Sequence, residues 1–171
     1  IIHKSKEDIC PLEIVFTVSE ETGLLGAKNL DFELLSSKIG FILDSEGAVG
    51  AASATAPSYM KMNIKIKGKS AHAGINPKNG INAIKTASEA IAKTPTGYIN
   101  AETCMNVGLI NGGVALNIVP DFTEVQYEIR SFNEKQIEKY QKIITKNFYD
   151  AAKKNKAEVI INSEMEFRKF N

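Results

Sequence analysis

The chain has 171 residues, 43% of them hydrophobic and 24% charged, with a formal net charge of +1. This is the composition of an ordinary globular protein with one good core or two small ones. A charge this close to zero, with lysines spread rather than clustered, gives no support to a nucleic-acid partner. No apolar run approaches the roughly 20 residues that cross a bilayer, so no membrane partner is expected.

The start, Ile1-Ile2-His3-Lys4, has neither the order of a signal peptide nor an initiator Met, and reads as a piece excised from a longer protein. Cys10 and Cys104 lie far apart without paired spacing. Free thiols in a cytoplasmic protein are one reading and a single disulfide the other.

Leu12 to Val18 is an apolar, β-branched run that predicts a buried strand. It ends at Ser19-Glu20-Glu21-Thr22-Gly23, where small residues mark a turn, and a helical pattern follows. A second strand is predicted over Ile39 to Asp44, apolar on both faces as in a covered parallel sheet. Glu20, Glu21 and Asp44 then stand at the same end of two strands joined by a crossover, where ligands collect in open α/β sheets. An acidic pair that merely caps the next helix is the other reading of Glu20-Glu21. A unit this small cannot cover both faces of its own sheet, so it calls for partner elements.

From Gly47 to Pro57 the composition turns to small residues, a linker or crossover. Met60, Met62, Ile64 and Ile66 then alternate with polar residues, predicting a strand with one wet face. The turn Gly68 to Gly74 carries His72 and leads to Asn76-Pro77, an expected N-cap and first-turn proline. The predicted helix presents Ile81, Ile84, Ser88 and Ile91 beside Ala83, Ala87 and Ala90, and stops before Pro95. A strand over Thr103 to Ile110, with Met105, Val107 and Leu109 on one side, leads to a hairpin turn at Gly112-Gly113. The next strand, Thr123 to Arg130, turns Val125, Tyr127 and Ile129 inward. Ser131 to Glu134 has capping-box spacing before a helix with Ile137, Tyr140, Ile144, Phe148 and Ala151 on one face. A last strand covers Glu158 to Asn162. The order β-α-β-β-α-β predicts an α+β two-layer sandwich, a four-stranded antiparallel sheet with two helices on one face.

Carboxylates gathered at strand ends repel unless a proton or cation relieves them, so Glu20, Glu21 and Asp44 point to metal chemistry. The ligand supply is thin, because the only histidines are His3 and His72 and neither sits in a paired motif. Taken singly, His72 reads as an exposed turn histidine or a functional one. Arg130 reads as a solvated partner of Glu124 or Glu128, or as a fork for a carboxylate. Asn117, inside the apolar run before Pro120, reads as a turn former or a recognition group.

Jointly these pieces resemble the di-zinc metallopeptidases of the peptidase T, carboxypeptidase G and aminoacylase family, in particular the peptidase T-like branch. The resemblance rests on Ser19 to Gly26, Ile42 to Ser45, Ile66 to Gly74, Pro77 to Ile84, Gly112 to Asp121 and Glu128 to Ser131, in family order. It implies a zinc-dependent exopeptidase acting on short peptides, with N-acyl amino acid deacylation as the sibling activity. A non-enzymatic dimerisation or sensing module is the alternative of another class.

By position, Glu20 would be the general base, Glu21 and Asp44 would each ligate one of two zinc ions, and His72 would polarise the scissile carbonyl, reaching the partner subunit's site. Asn117 and Arg130 would bind substrate. The family's upstream His-x-Asp, its bridging aspartate and its late histidine have no counterpart here. The implied layout is 1–55, part of the catalytic domain; 56–165, the lid that carries the homodimer contact; and 166–171, the return. The isolated chain is expected neither to retain zinc nor to cleave peptides. Dimer contact is expected along the edge strand Thr103 to Ile110, beside the Ala-rich helix.

Overall fold

A computed structural model describes residues 11–44 and 47–170. His3, Cys10 and Ser45 lie outside the described residues. The chain divides into two compact units, 1–52 and 53–171.

In the second unit, alternation of apolar and polar side chains makes the strands. Strand β1, Ser58–Lys67, buries Met60, Met62, Ile64 and Ile66 on one face. It pairs antiparallel with β4, Phe122–Ser131, and with β5, Glu158–Phe167. Strand β3, Thr103–Gly112, adds to the other side of β4. A short strand β2, Gly97–Asn100, completes the order β2-β3-β4-β1-β5. The sheet therefore has five strands, one more than expected. The extra one is too short and too polar to show a period of its own.

Helices α2, Ala83–Ile91, and α3, Glu134–Asn155, lie together on the apolar face of this sheet. The small side chains Ala83, Ala87 and Ala90 let α2 approach the sheet closely, and all three are fully buried. From α3, Ile137, Tyr140, Ile144, Phe148 and Ala151 enter the same core, as predicted, and Phe148 meets Tyr127 edge-on at 5.9 Å. The opposite face of the sheet is polar and carries ion pairs, one across strands and one along β4. Lys65 pairs with Glu124 at 3.8 Å and Arg130 with Glu128 at 3.1 Å.

Several local expectations are corrected. Asn82, not Asn76, caps α2, accepting from the Lys85 N–H at 2.9 Å, and Pro77 opens only a single 3-10 turn. Asn133 caps α3, while Ser131 stays in β4 and bonds Thr103 across the sheet at 2.9 Å. Gly112 is still paired with Thr123, so β3 and β4 are joined by the loop 113–121 rather than a two-glycine hairpin. Strand β5 runs on to Phe167, past the expected end at Asn162. The register between β3 and β4 shifts at Val107/Leu109. The shift sets Leu109 against Gln126, on the polar face rather than beside Met105.

In the first unit neither Leu12 to Val18 nor Ile39 to Asp44 joins a β-ladder among the described residues, contrary to expectation. Helix α1 is only Leu25–Lys28, followed by a 3-10 turn at Phe32–Leu34. Phe16, Phe41, Ile42 and Leu43 are all exposed. A lone pair of parallel strands has no layer on which to bury such side chains, which is why the strand pattern does not become a sheet here.

Candidate functional site

His72 follows β1 in a loop held from two sides. Lys69 and Ile81 exchange backbone hydrogen bonds at 3.0 and 2.8 Å. On the other side Ala73 N–H donates to the Asn117 carbonyl at 2.9 Å, and Val119 N–H to the Ala71 carbonyl at 2.8 Å. Close approach is possible because Gly68 and Gly80 lack side chains. A Cβ on Gly68 would collide with the Ile81 carbonyl, and one on Gly80 would stand 2.9 Å from Val119 Cγ1.

Within the loop, Asn76 Oδ1 accepts from the His72 N–H at 3.2 Å, and Gly74 N–H donates to His72 Nδ1 at 3.2 Å. With Nδ1 accepting, the neutral ring carries its proton on Nε2, ready to donate to a carbonyl oxygen. Imidazole and loop are exposed, but the backbone beneath them is tied down. Sequence reasoning assigned Asn76 to a helix cap; its work is in this turn.

Asn117 lies in the facing loop, so the fold brings His72 and Asn117 to one end of the sheet. Arg130 is at the other end. It pairs in register with Tyr59 and Cys104, whereas Phe122, at the His72 end, pairs with Lys67. At about 3.4 Å per residue the span from Phe122 to Arg130 is about 27 Å. One chain does not bring His72 and Arg130 to a common site. The Arg130 guanidinium lies 4.5 Å from the ring centroid of Tyr59, and its Nη2 donates to Glu128 Oε2 at 3.1 Å. Tyr59 was missed from the sequence, although an aromatic on the wet face directly across from an arginine was a usable signal. Cys104, beside Arg130, is a free, half-buried thiol.

In the first unit Glu20 and Glu21 sit in a tight turn. The Glu20 carbonyl accepts from Gly23 and Leu24 N–H at 3.1 and 3.0 Å, and Gly26 N–H closes onto the Val18 carbonyl at 3.0 Å. Ser19 and Leu24 hold positive φ of 59° and 56°, a conformation that costs L-residues of order 1 kcal/mol or more and is found preferentially where a side chain must be aimed. Both carboxylates are exposed, and so is Asp44. Among the described residues no three His, Cys, Asp or Glu side chains gather in a way that could hold a metal ion. Glu20, Glu21 and Asp44 do not by themselves make up a complete zinc site among the described residues.

The profile of the M20 peptidase dimerisation domain matches residues 56–156. The chain belongs to this family. The matched range takes in β1 to β4 and both helices α2 and α3, and ends just before β5. Two solved structures resemble the chain beyond that domain. Aminopeptidase PepT from Bacillus cereus is 39% identical with a TM-score of 0.79, covering 91% of this chain and 42% of that one. A tripeptidase from Staphylococcus aureus is 36% identical with a TM-score of 0.82, covering 91% of this chain and 41% of that one. Among curated proteins, the uncharacterized protein YqjE of Bacillus subtilis is 42% identical over 141 residues, 82% of this chain and 38% of that protein. The chain spans less than half the length of each of these M20 relatives.

Proposed function

We propose that this chain is the lid domain and one edge of the catalytic domain of a zinc-dependent exopeptidase that removes residues from short peptides as a homodimer. The observation that carries the reading is the similarity to a tripeptidase and an aminopeptidase over 91% of the chain, which takes in the Glu20-Glu21 turn as well as the lid. In this reading residues 1–55 are catalytic, 56–165 are the lid and 166–171 return to the catalytic domain. A cytoplasmic location belongs to the same proposal.

The roles are as follows. Glu20 takes the proton of the attacking water. Arg130 forks onto a substrate carboxylate, and Asn117 hydrogen-bonds the substrate. His72, with its Nε2 proton outward, donates to the carbonyl oxygen where charge develops. Because His72 and Arg130 stand at opposite ends of one sheet, they serve different sites, and His72 acts in the partner's. Zinc enters through the family resemblance, with Glu21 and Asp44 as one ligand each and the others supplied by a longer polypeptide.

The test is hydrolysis by a full-length protein carrying these residues. It should release the N-terminal residue of a tripeptide and hold about two zinc ions per subunit, and Glu20→Gln should lower kcat by about 10²- to 10⁴-fold. Cleavage of N-acyl amino acids but not tripeptides would replace peptidase with deacylase. Cleavage of neither would leave the dimerisation module as the reading. The 171-residue chain alone should show no stoichiometric zinc after dialysis and no tripeptidase activity.

A further inference from the structure

Arg130 is a long side chain on a wet sheet face, about half exposed, and such arginines ordinarily wander among rotamers. Here it is fixed on two sides. The Tyr59 ring lies under the guanidinium at 4.5 Å from its centroid, within the range of a cation–π contact. Glu128 takes the edge, with Nε and Nη2 both donating to Oε2, at 3.4 and 3.1 Å, so that Nη1 takes no part in that pair.

Tyr59 is itself held. Phe167 stacks against it with centroids 6.0 Å apart and planes 26° from parallel. The Lys61 ammonium stands 5.6 Å from the ring centroid and pairs with Glu166 at 3.3 Å. The register fixes the assembly, since Tyr59 faces Arg130 on one neighbouring strand and Phe167 on the other. Phe167, Tyr59 and Arg130 therefore form a row across three strands that ends in Nη1, which donates to no side chain or carbonyl among the described residues.

We propose that Tyr59 is a positioning residue. Its ring, backed by Phe167, holds the Arg130 guanidinium so that Nη1 meets a substrate carboxylate without first losing rotamer freedom. This rests on the reading of Arg130 as the carboxylate fork. A ring is what the role needs, and the Tyr59 hydroxyl is not.

The experiment compares a tripeptide having a free C-terminal carboxylate with its C-terminal amide, in the full-length protein, for Arg130→Ala, Tyr59→Leu and Tyr59→Phe. Arg130→Ala should raise KM for the free acid by a much larger factor than for the amide. Tyr59→Leu should do the same to a smaller degree, about two- to fivefold, with kcat retained, and Tyr59→Phe should restore the wild-type KM. If Arg130→Ala affects acid and amide alike, the carboxylate role of Arg130 fails. If Arg130→Ala discriminates but Tyr59→Leu does not, or lowers activity on both equally, the positioning role fails. Should Tyr59→Leu not fold, the wild-type chain still decides by NMR. Side-chain protons of Arg130 held over the ring resonate upfield of ordinary arginine positions, and ordinary positions would overturn the proposal.

Discussion

Gly68 and Gly80 are where a single atom decides the shape of the His72 loop. Adding a methyl at Gly68 drives it into the carbonyl of Ile81, a residue that is held by two backbone hydrogen bonds with Lys69. Gly68→Ala should cost about 1–3 kcal/mol, read as a lower thermal midpoint. A midpoint equal to wild type would mean the loop is looser than its hydrogen bonds imply. In the core, Ile144→Ala should cost about 2–5 kcal/mol, because the side chain is fully buried between helix and sheet.

Two titrations belong to the same scale. Burial pushes the Tyr127 phenol from its ordinary 10.0 up to about 12. The folded state then keeps this proton more tightly than the unfolded chain. The associated stability is complete below about pH 10 and is lost as pH rises towards 12. Ultraviolet titration should show one of the five tyrosines ionising late. Glu13 runs the other way. Hydrogen bonds from Ser37, then Ser36, hold its carboxyl at about 2, below the ordinary 4.5. That contact stabilises above pH 4.5 and fails as pH falls towards 2, and carboxyl NMR should place its midpoint there.

Among elements, legibility followed burial. Strands β1 and β4 and helix α3 were readable because one face of each is buried from end to end. What could not be read is what depends on a neighbour. The shift at Val107/Leu109 is set by β4, and the α3 cap moved from Ser131 to Asn133 because Ser131 has a better partner in Thr103. The strands at Leu12 to Val18 and Ile39 to Asp44 failed for the same reason, since their apolar faces have nothing here to lie against. The expected dimer edge is narrowed as well, because β2 covers Thr103 to Met105 and leaves β3 open only from Asn106. An unpaired strand edge with exposed Leu109 and Ile110 is a template for a second copy. Light scattering should find a dimer in the wild-type chain and a monomer in Leu109→Lys. A wild-type monomer at high concentration would count against this edge.

At the scale of the molecule, the candidate residues were recognisable one by one, but their distribution was not. Nothing in the spacing of His72, Asn117 and Arg130 tells which of them share an end of the sheet; that comes from the antiparallel pairing of β1 and β4. Residues at opposite ends of a sheet whose strand β4 spans about 27 Å between them cannot attend one scissile bond, whereas two copies related by a two-fold axis can complete each other's sites. The most direct measurement mixes two full-length variants, His72→Ala and Arg130→Ala, each nearly inactive on a free-acid tripeptide held well below KM, under conditions that exchange subunits. If His72 serves the partner's site, each mixed dimer contains one intact site, and activity should rise from near zero to about a quarter of wild type at equal mixing. Activity that stays at the level of the separate variants, with subunit exchange verified, would contradict the account.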